Sequence, residues 1–201
     1  TVPLPSGCGA ELATASDART VWVPCSAKAL ITAVDVHTGA RRTFPLPGFA
    51  MSDSKFLVGS VRWDSDGHRL LLPMLNGGGI RILSLGARRA RIVAQAHRFP
   101  GVSLYDVAVV DRKTFLMTAL DEDHVIVASP QGTIRARIPF PRPYRLLAIA
   151  RNRYLVTSQR AASVLEVHLG PHEIRYRKWR ISPRHEYQND IALLGGQRVA
   201  I

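Results

Sequence analysis

The feature that most narrows what this chain can fold into is a recurrence. Short β-rich runs appear at Val21-Trp22-Val23, Leu70-Leu71-Leu72, Phe115-Leu116-Met117, Tyr154-Leu155-Val156 and Val199-Ala200-Ile201. Their centres at 22, 71, 116, 155 and 200 give spacings of 49, 45, 39 and 45 residues. Each run follows a turn, such as Asp64-Ser65-Asp66-Gly67, Asp111-Arg112-Lys113 or Gly195-Gly196-Gln197, and an apolar stretch precedes that turn. A third run follows each one, at Leu30 to Asp35, Ile80 to Leu85, Val125 to Ser129 and Val164 to His168. A fourth alternates polar and apolar residues, as in Ile134-Arg135-Ala136-Arg137-Ile138 and Arg175-Tyr176-Arg177-Lys178-Trp179. Alternation with period 2 marks half-buried strands. No segment combines helical periodicity with a pair of caps.

Four short strands every 40 to 50 residues, joined by tight turns, predict an all-β chain of four-stranded antiparallel blades, a β-propeller. The blades fall near residues 8–48, 56–99, 103–141 and 144–182, with a partial one over 186–201, in a single domain. Trp22, Leu71, Leu116 and Leu155 take equivalent places in the second strands. A propeller must close to remove its edges. The pattern opens on Thr1 inside a fourth strand and stops inside a second one, so the expectation is part of a longer, closed propeller, completed by the remainder of its own chain.

Several stretches carry a family resemblance. Ala18-Arg19-Thr20-Val21-Trp22-Val23, Leu30 through Gly39 and Phe44-Pro45-Leu46-Pro47 resemble one repeat of the YVTN/NHL-type propellers, closest to the virginiamycin B (streptogramin) lyase-like group. Val61-Arg62-Trp63-Asp64-Ser65-Asp66-Gly67 is similar to the strand and turn of WD40-like and TolB-like blades. Where the lyases follow their strand Trp with an aromatic residue, Thr and Glu, this chain has Pro24-Cys25-Ser26 after Val23, so no catalytic residue transfers. Asn189-Asp190-Ile191-Ala192 and Tyr105-Asp106-Val107-Ala108 resemble the strand openings of the gluconolactonase group, where such residues hold a metal in the central channel. That likeness implies Asp106, Asn189 and Asp190 as ligands for a divalent cation, calcium or magnesium, which oxygen donors suit.

In a propeller the loops from fourth to first strand and from second to third share one face, the usual binding face. It would present Tyr105, Tyr144, Arg145, Arg160 and Tyr187 to a ligand, beside the acidic Asp121-Glu122-Asp123-His124 loop. Those acids read either as cation ligands or as a solvated hairpin tip. Gly77-Gly78-Gly79 leads into a strand and not a helix, so it is a turn and not a phosphate cradle. Gly101-Val102-Ser103-Leu104-Tyr105 lacks the second Gly of a nucleophile elbow. The reading is therefore a binding module, leaning away from an enzyme, with a protein or small-molecule ligand on the loop face. The alternative is a channel-centred, metal-dependent lactonase, hydrolase or lyase.

The net charge of +12 comes from 27 basic and 15 acidic residues, and the arginines are spread along the whole chain. That is not the concentrated patch of a nucleic-acid binder. Ten arginines lie in or beside the fourth strands (41, 42, 88, 89, 91, 135, 137, 175, 177 and 180). They read as charge that blocks edge pairing, or as a basic rim for an acidic partner. No apolar run approaches the length of a membrane span. The two cysteines, Cys8 and Cys25, are too few for a zinc site. A hairpin turning near Asp17 sets Cys8 opposite residues 26 to 28, so a Cys8–Cys25 disulfide and an extracytoplasmic location, periplasmic or secreted, are expected. The alternative is two buried thiols.

Overall fold

The computed structural model describes residues 13–14, 19–25, 30–45, 58–64, 68–75, 79–85, 90–96, 102–181, 192–194 and 198–200. The chain divides into two compact units, residues 1–104 and 105–201. Every sheet is an antiparallel meander whose strands lie side by side in chain order.

The first unit holds two sheets. One is β1 (Ala13–Thr14), β2 (Thr20–Cys25), β3 (Leu30–Asp35) and β4 (Arg41–Pro45). The other is β5 (Arg62–Asp64), β6 (Arg69–Pro73), β7 (Ile80–Leu85) and β8 (Ala90–Ala96). Trp22, Ile31 and Phe44 from the one cluster with Leu70, Leu72 and Leu83 from the other. The Trp22 and Trp63 rings stack at 6.2 Å, nearly coplanar in orientation. Burying each such side chain contributes roughly 1.5–3 kcal/mol, set against about 1–2 kcal/mol for ordering the backbone of each strand residue. The β3–β4 turn explains its own sequence. The Asp35 carboxylate accepts the backbone N–H groups of His37 at 2.9 Å and Thr38 at 3.0 Å. Gly39 then takes the left-handed φ of 70° that closes the turn. The Thr38 N–H and the Arg19 guanidinium hold the Asp35 carboxyl well below the usual carboxylate range.

The second unit holds β9 (Leu104–Asp111), β10 (Thr114–Ala119), β11 (His124–Ala128) and β12 (Ile134–Pro139) in one sheet. The next contains β13 (Pro143–Ala150), β14 (Arg153–Ser158), β15 (Ser163–Leu169) and β16 (Ile174–Arg180). A two-stranded sheet follows, β17 (Ala192–Leu194) with β18 (Arg198–Ala200). Leu116, Val127 and Phe140 pack with Leu146, Val156 and Val167 in the core between the two larger sheets. All six residues of β10 are buried, whereas every residue of β16 after Ile174 is exposed. The burial gradient from second to fourth strand is the one the hydrophobic pattern predicts. Trp22, Leu71, Leu116 and Leu155 do lie in the second strands of the four sheets. The 3-10 turn Leu120–Glu122 is the only helical element among the described residues, and none is long and apolar enough to cross a membrane.

Two acidic turns differ in detail from their appearance in the sequence. Asp64, the first residue of the Asp64–Gly67 turn in the sequence pattern, ends β5, is buried, and takes Arg69 Nη2 at 2.6 Å. Asp123 is not a free solvated tip, because its carbonyl and carboxylate accept the Phe140 and Arg142 N–H groups.

Candidate ligand-binding site on the loop edge of the second unit

The second unit repeats itself at a spacing of 39 residues. Tyr105-Asp106 at the start of β9 recurs as Tyr144-Arg145 at the start of β13, and Thr118 near the end of β10 recurs as Thr157 in β14. In both copies the threonine hydroxyl accepts a first-strand backbone N–H: Asp106 to Thr118 at 2.9 Å and Arg145 to Thr157 at 3.1 Å.

The second copy carries an irregularity. Pairing of β13 with β14 slips between Pro143 and Leu146, so the ladder does not serve the backbone of Tyr144 and Arg145. A buried backbone group without a partner costs roughly 1–3 kcal/mol, and side chains supply the partners here. Thr118 Oγ1 donates to the Tyr144 carbonyl at 2.9 Å. The Leu146 N–H donates to Asp106 Oδ2 at 2.8 Å, while Asp106 Oδ1 accepts the Val107 N–H at 2.8 Å. Asp106, Thr118 and Thr157 are all 0% exposed. Bulges of this kind re-aim side chains and occur beside functional sites.

The side chains so aimed are Tyr144 and Arg145. The Tyr144 ring stacks on Tyr105 with centroids 4.0 Å apart and planes 26° apart, and the two phenol oxygens share a hydrogen bond. The Arg145 guanidinium lies 5.4 Å from the centroid of each ring. A guanidinium over aromatic faces gains about 0.5–2 kcal/mol, and its in-plane N–H donors still suit an oxyanion. Tyr105 is only 7% exposed, so Tyr144 and Arg145 are the half-buried members that solvent reaches.

Three loops frame this cluster. The Phe140–Arg142 connection is clasped on one side by Asp123, whose carbonyl accepts the Phe140 N–H at 2.8 Å and whose Oδ1 accepts the Arg142 N–H at 2.7 Å. On the other side the Gln159 N–H reaches the Arg142 carbonyl at 3.0 Å and the Ser158 hydroxyl donates to the Pro141 carbonyl. Ser158 Oγ also accepts the N–H groups of Arg160 at 2.9 Å and Ala161 at 2.7 Å. The fourth-to-first and second-to-third loops therefore do share an edge here. Asp123 sits at φ 55°, a left-handed conformation that Asp tolerates better than most residues. Burial pushes the neighbouring Glu122 carboxyl upward, against the opposing charges of Arg137 and His124.

Among the ligand candidates, Tyr105, Tyr144 and Arg145 are in direct contact, and Arg160 is exposed on the adjoining loop. Tyr187, Asn189, Asp190 and Cys8 lie outside the described residues. Asp106 is buried and braces β9 to β13. No group of three or more His, Cys, Asp or Glu side chains arranged for a metal occurs among the described residues. Cys25 is fully buried, and there is no free cysteine among the described residues. Thr118, Thr157 and Ser158 are the positioning residues that strand patterning misses. Aligning residues 105–118 with 144–157 exposes the two threonines, each 12 positions after its tyrosine-following partner.

No family model and no curated protein matches the sequence. Solved structures do match the fold. A streptogramin B lyase is 16% identical with a TM-score of 0.67, covering 92% of this chain and 58% of that one. The virginiamycin B lyase of Staphylococcus aureus is 12% identical with a TM-score of 0.70, covering 96% and 62%. The periplasmic gluconolactonase of Pseudomonas aeruginosa is 16% identical with a TM-score of 0.66, covering 94% and 63%. The chain thus spans about three fifths of the length of these structures. At such identities the match establishes architecture and not activity. The chain is a β-propeller resembling the virginiamycin B lyase, gluconolactonase and WD40 propellers.

Proposed function

We propose that this chain is a binding module that takes an anionic ligand, a small molecule or an acidic protein segment, on the loop edge around Tyr144 and Arg145. The observation that carries the reading is the bulge in β13, whose backbone is satisfied by Thr118, Thr157 and Asp106 and which lays Arg145 over two stacked tyrosines. A flat body would lie on the exposed side of Tyr144 while its oxyanion meets Arg145, with Arg160 as a second cation. The module works outside the cytoplasm with a Cys8–Cys25 bridge, and the remainder of its own chain closes the propeller. The buried, non-free Cys25 supports the bridge. Calorimetric titration of the full chain with phenyl phosphate tests the site. Saturable binding should weaken at least about tenfold in Arg145→Gln, because a hydrogen bond to a charged group contributes about 1.5–3 kcal/mol. Equal binding by the variant would sink the proposal.

The second reading is a channel-centred, metal-dependent lactonase, hydrolase or lyase with calcium or magnesium on Asp106, Asn189 and Asp190. It draws on the match to a lyase and to a periplasmic gluconolactonase. Asp106 enters that reading with each carboxylate oxygen already accepting a backbone N–H. A cation would have to use the remaining lone pairs. A calcium-dependent rise in melting temperature that is absent in Asp106→Asn would favour it. No rise in the parent chain would remove it.

A further inference from the structure

The opposite edge of the second unit, where the β9–β10 and β15–β16 turns lie, carries a groove of about 230 Å³ between its two larger sheets. We propose that this groove is a second binding site, for a small zwitterion with a short aliphatic body. Its floor is apolar, with Val110 and Leu169 among the lining residues, and its polar members are Asp111, Thr114, Arg135 and Asn152. The volume equals roughly seven or eight waters, which suits a molecule of amino-acid size.

Opposite charges line this groove without closing on one another. Arg135 is the residue that a bulge in β12 leaves without a cross-strand partner, since Ala136 pairs with Val127 and Ile134 with Ala128. Its guanidinium donates to Thr114 Oγ1 at 3.3 Å, and it has no ion-pair partner among the described residues. Asp111 and Thr114 flank the two-residue Arg112-Lys113 turn, which places the carboxylate near the same hydroxyl. Asp111 Oδ1 accepts the Lys113 N–H at 2.7 Å, leaving Oδ2 with no hydrogen bond among the described residues. The Asn152 side-chain amide likewise has no partner among the described residues. A ligand carboxylate would take the open Arg135 donors, its ammonium would take Asp111, and its aliphatic body would cover Val110 and Leu169. The partners are on or near the surface, so binding is weak and salt-sensitive.

The test is a titration of the isotopically labelled full chain with L-valine, followed through backbone amide shifts. The expected result is saturable movement of the Asp111, Asn152 and Gly170 amides. Arg135→Gln and Asp111→Asn, both at exposed positions, should each weaken binding about two- to fivefold. Isobutyrate and isobutylamine, which carry only one of the two charges, should bind more weakly than valine. No saturable shift at these amides, or valine binding unchanged by both variants, would overturn the proposal. Isobutyrate binding as tightly as valine would also overturn it, by showing an anion site alone.

Discussion

Asp106→Ala is the sharpest perturbation of the loop-edge architecture. The carboxylate is fully buried and accepts the Val107 and Leu146 N–H groups, both at 2.8 Å. Alanine leaves two buried donors without an acceptor, each costing roughly 1.5–3 kcal/mol when the lost partner was charged. Some relaxation and water entry will recover part of this, so the expected loss is about 3–4 kcal/mol. That is a large share of a typical domain's 5–15 kcal/mol. Asp106→Asn keeps one acceptor oxygen but turns an amide donor toward the other N–H, so it should cost about 2 kcal/mol or more. Native-state hydrogen exchange at Leu146 reads the effect locally, and urea unfolding of the full chain reads it globally. The bracing role predicts the same loss with calcium or with a chelator present. A loss below about 1 kcal/mol, or one seen only with calcium, would refute it.

Other expectations can be measured alongside. Thr118→Val removes both the donor to Tyr144 and the acceptor for Asp106, so it should cost about 1–3 kcal/mol and speed amide exchange at Asp106. Phe140, which is 1% exposed in the second unit's core, should cost about 3–5 kcal/mol when changed to Ala, by urea unfolding. The Glu166 carboxyl is held low by its hydrogen bond from Arg153, aided by Trp179 Nε1 at 2.8 Å. A lowered folded pKa gives stability that is present above the unfolded value near 4.3 and lost as pH falls through the folded one. The stability gap between the parent chain and Glu166→Gln should therefore be constant at neutral pH and close below about pH 4. Denatured, non-reduced protein should show no titratable thiol, and reduction should cost about 3 kcal/mol for a bridge enclosing the chain between residues 8 and 25. Two thiols would contradict the bridge and the location argued from it.

The strands were legible because their determinants are local. Val, Ile, Leu and Thr at period 2 between Asp, Asn and Gly turns locate β9 through β16 to within a few residues. The apolar runs end at Met117 and Val156, whereas β10 and β14 continue to Ala119 and Ser158. The extra residues include Thr118, Thr157 and Ser158, polar side chains that strands bury only when another element supplies their partners. The pairing of Tyr105 with Tyr144 was half legible. Their common spacing is in the sequence, but the slip at Pro143 to Leu146 that turns Tyr144 onto its partner is not, since a bulge breaks the alternation on which facing is read. Asp123 and Arg135 were likewise visible as charges and invisible as a latch and a bulge residue. Their roles depend on a backbone N–H 19 positions from Asp123 and a side-chain hydroxyl 21 positions from Arg135.

The measurement closest to the central claim is a crystal structure of the full chain soaked with phenyl phosphate. The phosphate should lie within hydrogen-bond reach of the Arg145 guanidinium, with the Tyr105–Tyr144 stack intact and the Leu146 N–H still on Asp106. Phosphate bound away from Arg145, or a loop edge in which the two tyrosines are apart, would contradict it.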